Sequence, residues 1–79
     1  MNISYERAKE LAIENTNRLG ATINSAGEFP DAYVFWNKTR ECKGVLPIVI
    51  KKNGGEAVNY WNYLVSEKLN EDDMKERAF

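Results

Sequence analysis

Residues 46–61, Leu46-Pro47-Ile48-Val49-Ile50-Lys51-Lys52-Asn53-Gly54-Gly55-Glu56-Ala57-Val58-Asn59-Tyr60-Trp61, decide the fold. Two strand-favouring runs, 47–52 and 56–61, flank the turn Asn53-Gly54-Gly55, so the stretch predicts a β-hairpin. A three-residue loop whose last glycine is left-handed sets Lys52 opposite Glu56, Ile50 opposite Val58 and Ile48 opposite Tyr60. One face is then apolar and ends in an ion pair. A two-residue loop at Asn53-Gly54 sets Ile50 against Ala57 and Ile48 against Asn59, leaving the isoleucines without apolar partners. The reading therefore takes the three-residue register, with Ile48, Ile50, Val58 and Tyr60 on one sheet face and Gly55 at positive φ.

Upstream, Ser4 is the expected N-cap of a helix over residues 5–19, with Glu6 favourably placed in its first turn. Ala8, Leu11, Ala12, Ile13 and Leu19 supply its apolar stripe, which stops before Gly20. Asn15, Thr16 and Asn17 favour helix poorly, so its last turn depends on packing. Residues 21–25 alternate weakly around Ile23 and predict a short strand, followed by a loop through Gly27 and Pro30. Residues 31–37 are a stronger strand, because Tyr33, Val34, Phe35 and Trp36 are bulky on both faces, which fits an inner strand or one with an exposed aromatic face. The polar run 38–44 connects two antiparallel strands.

Downstream of the hairpin, Trp61, Leu64, Val65, Lys68 and Leu69 recur at helical spacing, predicting a second helix that begins near Asn62. Asn70 followed by Asp73 resembles a fresh N-cap, so the helix breaks and restarts there or gives way to a loosely ordered tail. The expectation is one α+β domain over residues 1–79. Its small antiparallel sheet has three or four strands, with an N-terminal helix and a C-terminal helix mainly on one face.

Composition excludes several function classes. Seventy-nine residues leave no room for a deep active site beside a core. The single cysteine, Cys42, cannot form an internal disulfide, and without histidine the common zinc ligand sets are missing. These features fit a reducing, cytoplasmic setting. The N-terminal stretch carries Glu6, Glu10 and Glu14, unlike a signal peptide, and no apolar run reaches membrane-spanning length. A net charge of -1 gives no general attraction to nucleic acid or anionic lipid.

No catalytic, cofactor-binding or metal-binding constellation emerges. Lacking histidine, neither Ser25 nor Cys42 has an imidazole partner from this chain, and the charges of Glu41 and Lys43 oppose each other beside the thiol. Glu71, Asp72, Asp73 and Glu76 lack the spacing and the bend of a calcium loop and read as a solvated helix start. Gly54-Gly55 lies within a hairpin, where no phosphate-cradling loop is expected.

Two surface readings remain. Lys38, Arg40, Lys43, Lys51 and Lys52 near Tyr33, Phe35 and Trp36 could bind single-stranded nucleic acid by phosphate contact and stacking. Against this stand the negative net charge and the demand of the core for most of the nine aromatic rings. The preferred reading is protein recognition, for which exposed tryptophan or tyrosine with a nearby arginine is the favoured anchor. Trp36, Tyr60, Trp61 and Tyr63 are too many rings to hide completely, and Arg40 is the accessible neighbour in the connecting loop. The competing reading of each single ring is plain core packing.

The order of these elements also resembles a known family. A leading helix, the pair Phe35-Trp36 in a strand, Gly44-Val45-Leu46-Pro47, the strand Ile48-Val49-Ile50, the exit Gly55-Glu56 and a closing helix are similar to the YrhB-like family. The likeness spans about residues 30–65. That family is grouped with bacterial immunity proteins, small partners that neutralise toxins. The resemblance implies a non-enzymatic α+β domain that binds a protein and needs no cofactor.

Overall fold

A computed structural model describes residues 2–18, 20, 22–37 and 47–79. Helix α1 (Tyr5–Arg18) is followed by β1 (Ser25–Phe29), β2 (Ala32–Trp36), β3 (Ile48–Lys51), β4 (Ala57–Asn59), α2 (Tyr60–Ser66), a 3-10 turn (Glu71–Asp73) and β5 (Lys75–Arg77). The strands form one antiparallel sheet in the order β4-β3-β2-β1-β5. The α+β class is as expected, with five strands where three or four were anticipated. Ser4 caps α1, accepting the Arg7 backbone N–H at 3.1 Å. Leu19 and the connection at 38–46, with Arg40 and Cys42, lie outside the described residues.

The extra strands come from segments without a strand-like pattern. The expected strand at 21–25 begins only at Ser25, and Gly27, expected in a loop, sits buried in the middle of β1. There the glycine leaves room for its neighbour, because a Cβ on Gly27 would lie 2.5 Å from Met74 Sδ and the methionine would have to shift. Of the two alternatives at Asn70 the capped restart is present, as a single 3-10 turn: the Asn70 side chain accepts the Asp72 N–H at 3.0 Å while Asp73 accepts the Asn70 N–H at 2.9 Å. The tail then pairs with β1 as the edge strand β5.

The two helices cover opposite faces, which corrects the one-sided arrangement. On one face Ala8 and Ala12 of α1 pack with Ala26, Tyr33, Phe35 and Ile50. On the other, Tyr60, Tyr63 and Leu64 of α2 pack with Phe29, Ala32, Val34 and Val49. Thr16 continues the buried line of α1, its hydroxyl donating to the Ala12 carbonyl at 3.0 Å.

Two-sided burial also overturns the hairpin register. Ile50 pairs with Ala57, Val49 with Val58 and Ile48 with Asn59. The isoleucines lose nothing by this, because they face α1 and its aromatic neighbours, while Val58 and Tyr60 lie on the α2 face. Four residues, 52–55, bridge the strands: the Lys51 N–H donates to the Glu56 carbonyl at 2.8 Å and the Gly55 N–H to the Lys51 carbonyl at 3.1 Å. Gly54 and Gly55 both take positive φ, 87° and 73°, so the left-handed Gly55 is as expected. The backbone of Lys52 is engaged elsewhere. It donates to the Asp31 carbonyl at 2.9 Å and accepts from the Ile3 N–H at 2.7 Å. Its side chain pairs with Glu28 instead of the expected Glu56.

Candidate interaction surface

Helix α2 sets the geometry of the candidate site. Asn59 in extended conformation caps it, its side chain accepting the Asn62 N–H at 3.2 Å. The helix therefore starts at Tyr60, earlier than the expected Asn62. Its buried line is Tyr60, Tyr63 and Leu64, and the predicted line through Trp61 and Val65 is turned outward. Trp61 is 50% exposed and Val65, one turn later, 79% exposed. The helix ends at Ser66, with Lys68 at φ 54°, the Lys68 N–H bonded to Val65 and the Leu69 N–H to Leu64. That is the Schellman pattern, with lysine where glycine is the usual residue.

Beside Trp61 lies an open apolar groove of about 300 Å³, lined by Val34, Trp36, Pro47, Tyr60, Trp61 and Met74. The Tyr60 and Trp61 rings meet edge to face, 5.1 Å between centroids, which fixes the tryptophan at the rim. Of the five expected interface residues, Trp36, Tyr60 and Trp61 thus come together. Trp36 is half-buried in the groove and Tyr60 is mostly core. Tyr63 is 2% exposed and packs against Phe29 at 5.5 Å, so it is a core ring and no surface anchor. Pro47 and Met74 were missed, since neither sits in a pattern that marks it for a surface.

A polar hollow of about 390 Å³ opens on the same side of the sheet, with Asp31, Lys51, Lys52, Glu56, Tyr63 and Glu67 on its walls. The Tyr63 hydroxyl is buried beside the Asp31 backbone without completing a hydrogen bond of full geometry. Burial first, then the carboxylates of Asp31 and Glu67, push its pKa up to about 12.

On the α1 face, Glu28 accepts hydrogen bonds from Lys52 and Arg77, which hold its carboxyl below the ordinary value. Tyr33 is buried there and Phe35 fully so. Neither ring is available for base stacking, which removes two of the three aromatics in the nucleic-acid reading. Among the described residues no group of three carboxylates or thiols is placed to hold a metal ion. Likewise, no helix among them is long and apolar enough to cross a membrane.

Comparison of the chain with protein-family models, curated proteins and solved structures finds no match. The geometry of the surface and the pattern in residues 30–65 are therefore what a functional reading has to build on.

Proposed function

We propose that the protein is a non-enzymatic protein-interaction domain whose anchor is Trp61. The observation that carries this reading is the outward face of α2, where a half-exposed tryptophan stands at the rim of an apolar groove with Val65 one turn away. Large rings at the edge of a pocket that can be dried by a partner are the residues that dominate protein interfaces. The occupant that fits is an apolar side chain of the partner, inserted between Trp61 and Trp36. The likeness to the YrhB-like family supports a finer form, in which the partner is a toxin and the domain neutralises it.

Trp61→Ala tests this directly. The variant should keep the circular-dichroism spectrum and melt close to the parent, since half of the ring already faces water. A toxin encoded beside the gene should be neutralised by the parent on co-expression and escape the variant. Binding should weaken by about 2 kcal/mol, roughly thirtyfold, if Trp61 is a hot spot. A photocrosslinker at Val65 should likewise join the same partner in the parent and fail to do so when Trp61 is alanine. Equal neutralisation and equal crosslinking by both proteins would overturn the proposal.

A further inference from the structure

The edge strand β5 is exposed at all three residues, yet the protein holds a slot matched to its sequence. In register, Arg77 lies opposite Ala26, Glu76 opposite Gly27 and Lys75 opposite Glu28. Met74 occupies the space that the missing Cβ of Gly27 leaves open. The Arg77 guanidinium pairs with Glu28 and lies 4.4 Å from the Tyr5 ring centroid and 5.7 Å from that of Tyr33. Beyond the strand, the Tyr5 hydroxyl donates to the Ala78 carbonyl at 2.9 Å. Lys9 donates to the Phe79 carbonyl at 2.7 Å and stands 4.1 Å above the Phe79 ring. A methionine, an arginine three residues on and a phenylalanine two further are each received by residues of α1, β1 or β2.

The link between α2 and this tail is strained at one residue. Lys68 is the one non-glycine residue at positive φ among the described residues. A side chain in that conformation is disfavoured, and a link that carries one can act as a hinge at which an element opens outward, here taking Leu69 and the turn at 70–73 with it. An opened tail would leave the outer edge of β1 unpaired and Gly27 uncovered, an arrangement that recruits any strand able to replace β5.

We propose that residues 74–79 are exchangeable between copies of this chain, so that in a reciprocal dimer each tail fills the slot of the other molecule. The slot contacts are the same in the closed monomer and in the exchanged pair, so the balance is set by the hinge and by the cost of association. The occupant is a second copy because its tail carries the combination of Met74, Arg77 and Phe79 to which the slot is fitted. Extension of the hinge relieves the left-handed Lys68, which favours exchange.

A charge swap tests the exchange. Glu28→Arg and Arg77→Glu each set like charges against one another within a single chain. When the two variants are unfolded, mixed and refolded together, a reciprocal heterodimer restores both opposite-charge pairs, and a monomer restores neither. The mixture should yield a species of twice the monomer mass by light scattering, melting above either variant alone. A mixture that stays monomeric and melts like its separate components overturns the proposal. Because Glu28→Arg also faces Lys52, the unaltered slot is tested separately through the hinge. At one high protein concentration, Lys68→Gly should lower the dimer fraction several-fold and Lys68→Pro, which cannot take positive φ, should raise it. No dimer from either the parent or Lys68→Pro, or a dimer indifferent to Lys68, would equally refute exchange, the latter pointing to self-association through Trp61.

Discussion

Replacing Gly54 and Gly55 separately by alanine isolates what the hairpin loop owes to backbone conformation and what it owes to packing. Both residues are left-handed, at φ 87° and 73°. An alanine in that region costs about 1–2 kcal/mol, of which about 0.4–1 kcal/mol is recovered because alanine stiffens the unfolded chain. Gly54→Ala meets no atom within 4 Å, so its net cost should be that backbone difference, about 0.5–1 kcal/mol. At Gly55 the new methyl would lie 2.9 Å from Leu11 Cδ1 and 3.3 Å from Ile3 Cδ1. Both contacts are with the ends of half-buried side chains packed between α1 and the sheet, so displacing them should add about 1 kcal/mol. In a domain of this size such a difference separates the two melting temperatures by roughly 4–8 °C. Thermal and urea unfolding followed by circular dichroism would measure it. Leu11→Ala combined with Gly55→Ala should cost less than the sum of the two, because the truncated leucine vacates the clash. Equal losses at Gly54 and Gly55, or full additivity with Leu11→Ala, would refute the close approach of the loop to α1.

Three further outcomes are expected. The buried Tyr63 hydroxyl, with its pKa pushed up to about 12, stays protonated in the fold while the unfolded chain ionises near 10. Stability should therefore fall as pH rises between those values, and Tyr63→Phe should remove that part of the alkaline loss in urea titrations. Glu28 is held below its ordinary 4.5 by Lys52 and then Arg77, so its contribution is present above that value and lost as pH falls through the folded pKa. Glu28→Gln should lower stability at neutral pH and flatten its acid dependence. Lys68→Gly should stabilise the monomer by about 0.5–1 kcal/mol, read as a higher urea midpoint with unchanged slope, because glycine removes the left-handed penalty at the end of α2.

The hairpin itself was legible because two glycines between the β-branched run Ile48-Val49-Ile50 and a second strand-favouring segment leave little else possible, and the left-handed Gly55 followed from the same chemistry. Its register was not. Alternation specifies a register only where one face is apolar and the other wet, and β3 is covered on both faces, with Val49 and Ile50 both fully buried. The observed pairing also engages the Lys52 backbone with Asp31 and Ile3, residues remote in sequence. The polar tail Lys75-Glu76-Arg77 had no strand signal of its own. Its pairing is dictated from outside, by the groove over Gly27 and the carboxylate of Glu28.

Helix α2 shows how the same ambiguity bears on function. Tyr60, Tyr63 and Leu64 share the spacing of Trp61, Leu64 and Val65, so periodicity cannot choose between the two faces. The Asn59 cap starts the helix one residue before Trp61, and the sheet accepts the tyrosine face. Tyrosine on the buried side leaves the Tyr63 hydroxyl without a full partner, and on the outward side Trp61 and Val65 stand exposed beside Asn62 and Ser66. A fold that keeps Trp61 and Val65 in water, beside an open groove lined by Trp36 and Pro47, retains a cost that burial against a partner would remove.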